Sequence, residues 1–251
     1  MTIMPENDVK PSHNLRLVGR KIVITGAASG IGLRTATLFM EEGASVILLD
    51  RNADALKAAH EGRHAVLTGV DITSENELAE AIADAAEITG GIDGVINAAG
   101  IMMTGPTAEL SSQTWRQVIE VNLTGSFLVV QNCLPWLTRN DSATIVNVAS
   151  GAGLLPNVPG LAAYAASKGG IIALTKALAA DLAPNIRVNC VCPGMVDTPM
   201  ADGFRANVGN YALKRIADPL EIARAMLFLT SSESSYVTGA TLAVDGGRTF
   251  H

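Results

Sequence analysis

From Lys21 onward the chain alternates short, almost uninterrupted apolar runs with longer stretches in which apolar positions recur every three or four residues. The runs KIVIT, SVILLD, AVLTGV, GVIN, ATIVNV, RVNCVC and ATLAV predict seven strands. Strands apolar on both faces belong to a parallel sheet covered by helices on each side. Helical spacing occupies residues 31–42, 53–60, 75–89, 113–137, 162–183 and 219–230. This regular alternation predicts an α/β fold: a single doubly wound domain, its seven-stranded parallel sheet flanked by helices on both faces. No repeat, low-complexity tract or composition break marks a second domain. Residues 1–18 are polar and carry Pro5 and Pro11, so a flexible N-terminal extension is expected before a domain spanning 19–251.

Composition narrows the partners. Of 251 residues 48% are hydrophobic but only 4% aromatic, a mix suited to close helix-on-sheet packing and to burial between subunits. A net charge of −6 without a Lys/Arg-rich run argues against nucleic acid or an anionic membrane. Cys133, Cys190 and Cys192 lack metal-ligand spacing and read as buried reduced thiols, the last two on one face of a strand. His13, His60, His64 and His251 form no ligand cluster, so no metal site is expected. The N-terminus carries no apolar signal core and no stretch is long enough to span a bilayer, which predicts a soluble cytoplasmic protein.

The first predicted strand runs directly into Gly26-Ala-Ala-Ser-Gly30-Ile-Gly32 and a helix. A tight turn, and close approach of a pyrophosphate to main-chain N–H groups, both call for residues without a Cβ. The helix that follows offers its positive end to the phosphates. The spacing is TGxxxGxG rather than GxGxxG, and glycines alone are a weak signal. Here strand, turn and helix coincide. The second strand also ends in Asp50, 18 positions after Gly32, where a carboxylate can accept bonds from the adenosine ribose. Ser29, Ile31 and Arg51 complete this end. Asp71, followed by Ile72, is placed at the adenine edge, although an aspartate there serves equally as a turn or helix-start residue. Asn97, Ala98 and Gly100, closing the fourth strand, would let a cofactor lie against the backbone.

Tyr164 and Lys168 are four positions apart in an alanine-rich helical segment and so share a face. An unperturbed tyrosine, with a pKa near ~10, is a poor base at neutral pH. A neighbouring ammonium favours the phenolate, as acid/base work on an alcohol proton requires. YxxxK alone is more often a surface pair. Ser150 closes the fifth strand at the same sheet edge, where its hydroxyl either caps the strand or holds a substrate oxygen. Asn122 and Gly125 interrupt a helical pattern and are unfavourable there; a break would free a carbonyl to hold a water. Pro193, Gly194, Val196 and Thr198 follow the sixth strand and would meet the carboxamide of a nicotinamide.

TGAASGIG, NAAG, the lone Asn122, Ser150, YAASK, PGMVDT and VTGATLAVDGG occur in the order found in the short-chain dehydrogenase/reductase family. The chain resembles that family from about Lys21 to Gly247. The resemblance implies a Rossmann-like domain and a catalytic tetrad of Asn122, Ser150, Tyr164 and Lys168. Tyr164 would exchange the substrate proton and Ser150 would position and polarise the substrate oxygen. Lys168 would bind the nicotinamide ribose and lower the tyrosine pKa, while Asn122 would hold a water in the relay. Two departures stand out: NNAG reads Asn97-Ala-Ala-Gly100 here, and the gap from Ser150 to Tyr164 is one position longer than in many relatives, so the intervening loop is expected to bulge.

These features predict an NAD-dependent oxidoreductase interconverting a secondary alcohol (a polyol, sugar, hydroxy acid or cyclic alcohol) and its ketone. The alternatives are a 3-oxoacyl thioester reductase and a non-catalytic protein that senses NAD(H). Neither GxSxG nor GxxxxGK[ST] occurs, which argues against a serine hydrolase or a phosphate-transfer enzyme. Asp50, with Ser29 before the second glycine, favours NAD over NADP; Arg51 is the contrary feature. Met200, Phe204 and Tyr211, with Met102, Met103, Leu154 and Asn157, are expected to wall the substrate site. Arg205, Lys214 and Arg215 read as anion contacts or as ordinary surface. Val118, Val121, Phe127 and Val130, and Ile171, Leu174, Leu178 and Leu182, mark helices apolar over more than one face. Together with the resemblance, they predict a homotetramer.

Overall fold

A computed structural model describes residues 15–249. Every predicted strand forms: Lys21–Thr25 (β1), Ser45–Asp50 (β2), Val66–Gly69 (β3), Gly94–Asn97 (β4), Ala143–Val148 (β5), Ile186–Pro193 (β6) and Thr241–Val244 (β7). They make one seven-stranded sheet in the order β3-β2-β1-β4-β5-β6-β7, and all neighbours are parallel. The chain therefore starts mid-sheet, builds outward to β3, then crosses back to β4 and builds the other way. Connections leave β1 and β4 in opposite directions, which opens a crevice at the carboxyl ends of those two strands.

The helices are Gly30–Glu41 (α1), Ala53–Ala59 (α2), Glu75–Thr89 (α3), Ser112–Ile119 (α4), Gly125–Leu137 (α5), Gly151–Leu154 (α6), Ala162–Leu182 (α7) and Pro219–Thr230 (α8). Successive strand residues face opposite sides of the sheet, and here both sides are dry. Val23, Ile47 and Leu49 join the core under α3 and α5, while Ile22, Ile24, Val46 and Leu48 join the core under α1 and α8. That explains why the strands carry almost no alternation of polar and apolar residues. Helix starts follow local chemistry. Asp218 and Glu221 form a reciprocal capping box at α8, with Pro219 in its first turn.

Three sequence expectations change. The segment 113–137 is not one helix, because a π-helical turn at Glu120–Thr124 separates α4 from α5. The loose extension does not reach residue 18: Leu17 is fully buried, and its N–H donates to the carbonyl of Glu42 at 2.9 Å. Residues 1–14 of that extension lie outside the described residues. Most of the apolar positions expected to face a partner are covered by the chain itself. Val118, Val130, Ile171 and Leu178 are buried, Val121, Leu174 and Leu182 are half-buried, and only Phe127 is exposed. The segment after Ser150, where a bulge is expected, begins with α6, packed so closely on α7 that a Cβ at Gly153 would lie 2.8 Å from the Lys168 carbonyl carbon. Among the described residues no helix is long and apolar enough to cross a membrane.

Candidate active site

The crevice is built first from backbone. β1 ends in Thr25, whose hydroxyl accepts the N–H groups of Ala98 and Ala99 at 3.1 and 3.0 Å, so the ends of β1 and β4 are tied together. These bonds anchor the Asn97–Gly100 turn without the amide that the departure from NNAG removes. Gly26 turns the chain at φ +66°, and a Cβ there would stand 2.8 Å from the Cα of Ala99. A Cβ on Gly32 would collide with the carbonyl of Gly26. Ser29 precedes α1 but makes no side-chain cap, so the amides of that first turn face the groove unpaired by a hydroxyl. A pyrophosphate fits such a cradle: no side chain fills it, and the free N–H groups lie at the positive end of a helix.

The rest of the groove is lined by Ser29, Ile31, Asp50, Arg51, Asp71, Ile72, Ala98 and Gly100, as the sequence predicts. Asp50 Oδ2 accepts from Ala28 N at 3.1 Å and Oδ1 from Asn52 N at 3.0 Å, which locks the carboxylate at the mouth. Asp71 also serves its own turn, with Oδ1 accepting from the N–H and hydroxyl of Thr73. Asn97 is the exception. Its side chain is buried and points away from the groove, donating to Ser126 O and Asn147 Oδ1 at 3.1 and 2.9 Å. Sequence reading also missed His60, which is fully buried with Nε2 2.9 Å from Ala27 O. It braces the glycine turn from the end of α2. A lone histidine in a sequence gives no sign of such a partner.

At the other end of the crevice stand Ser150, Tyr164 and Lys168, which line one cavity with Pro193, Gly194, Val196 and Thr198. Ser150 begins a helix and also faces Tyr164. Its Oγ accepts the N–H of Ala152 at 3.1 Å, starting α6, and it lies within hydrogen-bonding reach of the Tyr164 phenol. Tyr164 sits in the first turn of α7, and Lys168 one turn on places its Nζ 5.8 Å from the tyrosine ring centre. That Nζ donates to Val148 O at 2.8 Å.

The charge states differ from the sequence expectation. Burial pushes the Tyr164 phenol above its ordinary value, and the opposing influence is the hydrogen bond to Ser150 rather than the ammonium of Lys168. Burial also pulls Lys168 down to about 8. In the chain alone, lysine and tyrosine are thus both pushed toward their neutral forms by the same dry surroundings.

Asn122 lies in the π-turn, fully buried. Its Oδ1 accepts from Ile101 N at 2.8 Å, and its Nδ2 donates to Ile101 O at 2.9 Å and Ser167 Oγ at 3.0 Å. Its carbonyl accepts from the Ser126 hydroxyl at 2.9 Å. The side chain thus staples the strand-4 turn to α7, bringing Gly100 and Lys168 together. A Cβ at Gly100 would lie 3.2 Å from Asn122 Oδ1 and 3.4 Å from Lys168 Nζ.

The cavity wall includes Met102, Asn157, Met200, Phe204 and Tyr211, as expected, but not Met103 or Leu154. The three basic residues named from the sequence are engaged elsewhere. Arg205 pairs with Asp197 and Asp202, Arg215 with Glu221, and Lys214 donates to Gly209 O. A basic residue that sequence reading passed over, Arg248, reaches the cavity from beyond β7. Cys190 and Cys192 are fully buried free thiols on β6, below this site.

A switch-point crevice with a glycine cradle at one end and a Ser/Tyr/Lys group at the other defines a Rossmann-type oxidoreductase. Comparison with known proteins agrees. A family model described as Enoyl-(Acyl carrier protein) reductase matches residues 26–249. The chain is 41% identical to the 3-oxoacyl-(acyl-carrier-protein) reductase FabG of Thermotoga maritima, over 93% of this chain and 99% of that one. It is 39% identical to a trans-4-hydroxycyclohexanecarboxylate dehydrogenase of Sinomonas cyclohexanicum, over 93% and 94%. A crystal structure of a short-chain dehydrogenase/reductase from Brucella melitensis, titled glucose/ribitol dehydrogenase, superposes with a TM-score of 0.89 at 34% identity, covering 95% of this chain and all of that one. The chain belongs to the short-chain dehydrogenase/reductase family, oxidoreductases that act on CH–OH groups and use NAD or NADP.

Proposed function

We propose that this protein is an NAD-dependent dehydrogenase that interconverts a small secondary alcohol and its ketone. The observation that carries the reading is the Tyr164 phenol held beside the Ser150 hydroxyl, with Lys168 one helical turn away in the same cavity. Tyr164 takes the alcohol proton in oxidation and returns it in reduction. Ser150 donates to the substrate oxygen and holds it within reach of Tyr164. Lys168, charged, binds the ribose next to the nicotinamide and favours the phenolate; Asn122 holds Lys168 and the Gly100 turn in register. Pro193, Gly194, Val196 and Thr198 would hold the nicotinamide of a bound dinucleotide, whose chemistry would be hydride transfer. The residues assigned to the dinucleotide are Gly26, Ser29, Gly30, Ile31, Gly32, Asp50, Arg51, Asp71, Ile72, Ala98 and Gly100. Asn97 supports their turn from behind.

The cavity beside Tyr164 holds about 250 Å³, at the small end for a ligand site, which favours a compact alcohol. Similarity to FabG of Thermotoga maritima supports a second reading, reduction of a 3-oxoacyl thioester. Spectrophotometric NADH formation with polyols, sugars, hydroxy acids and cyclic alcohols, set against NADH oxidation with acetoacetyl thioesters, separates the two. No turnover of any member of either panel would reject both. We assign the protein to the cytoplasm and to a homotetramer. Phe127, the exposed alanines of α7 (Ala166, Ala173, Ala177 and Ala180) and the open edge of β7 with Leu242 supply the surfaces for it.

A further inference from the structure

We propose that Arg248 recognises an oxyanion on the substrate, so that the alcohols this enzyme handles best are hydroxycarboxylic acids. The inference rests on reading the Ser150/Tyr164 cavity as the substrate site. It deepens that reading by naming the substrate class.

Arg248 lies four residues past β7, and its half-buried guanidinium lines the cavity that Tyr164 and Ser150 line. Nη2 donates to the Leu155 carbonyl at 3.2 Å and to Asn157 Oδ1 at 2.8 Å, which fixes the group over α6. Nη1 passes so close to Gly151 that a Cβ there would stand 2.9 Å from it. Gly151 directly follows Ser150, so the cation sits beside the hydroxyl expected to hold the reacting oxygen. Any side chain at 151 would push it away.

Among the described residues Arg248 belongs to no ion pair, and both of its side-chain acceptors are neutral carbonyl oxygens. Asp245, nearby in sequence, turns its carboxylate to the amides of Gly247, Arg248 and Thr249 and to the Thr249 hydroxyl. The cavity lining holds two cations, Lys168 and Arg248, and no Asp or Glu, in a chain whose net charge is −6. A guanidinium held in a partly desolvated wall, with Nε and Nη1 unused, is a preorganised site for a carboxylate. Lys168 is already assigned to the ribose, which leaves Arg248 for the substrate.

The test uses acid–amide pairs of one shape: 3-hydroxybutanoate with 3-hydroxybutanamide, and 4-hydroxypentanoate with its amide. Wild-type kcat/KM for the acids should exceed that for the amides at least 10-fold, since charge-assisted hydrogen bonds to a half-buried cation contribute about that much or more. Arg248→Gln should collapse the acid-to-amide ratio to near parity, and Arg248→Lys should restore part of it. Parity in the wild type, or an equal loss for acid and amide in Arg248→Gln, overturns the proposal. A turnover-independent arm reads the melting-temperature shift given by the same acids on NAD-loaded wild type and Arg248→Gln. A shift lost in the variant, without turnover, keeps the anion site and rejects the dehydrogenase reading. Turnover of neutral alcohols with neither acid turnover nor an acid-induced shift rejects the anion site alone.

Discussion

Asp50 and Ala28 are joined across the crevice: the Asp50 carboxylate accepts the Ala28 N–H at 3.1 Å, so the end of β2 and the glycine turn move as one piece. The carboxylate that would read the ribose is thereby also part of the cradle. In NADP a phosphate would stand against it. At about 5 Å and an effective dielectric near 20, each like-charge pair costs roughly 3 kcal/mol, or about a hundredfold in affinity. Wild-type kcat/KM should therefore favour NAD by about that factor. Asp50→Ala should lose NAD affinity more than a ribose contact alone would cause, because the turn loses its tether, and should gain NADP use through Arg51. A wild-type preference for NADP would sink the assignment.

Tyr164→Phe removes one oxygen and keeps the ring packed against its buried neighbours. General acid/base catalysis contributes typically ~10²–10⁴-fold, so turnover should drop by at least ~10²-fold with cofactor affinity nearly unchanged. Retention of more than about a tenth of the wild-type rate, measured at saturating NAD, would mean that another group moves the proton.

The buried Lys168 makes free-enzyme stability depend on alkaline pH in a particular direction. Burial lowers its pKa from the ordinary lysine value of 10.5 to about 8 on folding. Between those values the unfolded chain holds the proton and the folded chain does not, so this group's contribution to stability rises with pH from about 8 to 10.5. Below pH 8 the charge is buried at a cost. Lys168→Met should flatten that rise in urea-unfolding midpoints measured without cofactor. An unchanged slope in the variant would assign the pH dependence to another group.

Asn122→Ala should be costly in two ways. It strands the N–H and C=O of the half-buried Ile101, at up to about 1–3 kcal/mol each, and removes the donor to Ser167 Oγ, whose hydroxyl keeps its bond to the Tyr164 carbonyl. It also releases the Gly100 turn from α7. The expected result is a melting temperature lowered by several degrees together with reduced turnover. A stable but inactive variant would indicate a chemical role instead of this staple.

Light scattering at micromolar concentration should give four times the 26.0 kDa protomer mass. Phe127→Asp, at the exposed apolar position of α5, should shift the population toward smaller species. A monomer in the wild type would rule the assembly out.

Sequence by itself determined the sheet and its partners in chemistry. Parallel strands buried on both faces need unbroken apolar runs and intervening helices, so KIVIT, SVILLD and the rest were legible from hydrophobicity alone. The glycine turn was legible because only glycine permits those backbone approaches, and Tyr164 with Lys168 because helical spacing fixes their common face. Even the π-turn left a trace in Asn122 and Gly125, although its three-way hydrogen bonding did not. What tertiary structure decided were relationships between distant segments, whose partners no local pattern encodes. Asn97 turned into the core because α5 passes behind β4. Tyr164 is pushed up rather than down because desolvation of the buried phenol outweighs its hydrogen bond to Ser150. Arg205 and Arg215, close to the site in sequence, found carboxylates, whereas Arg248, ninety-eight positions from Ser150, reached the cavity because β7 ends beside α6. Charge and burial at a site are sums over everything packed around it, and that sum exists only once the chain has folded.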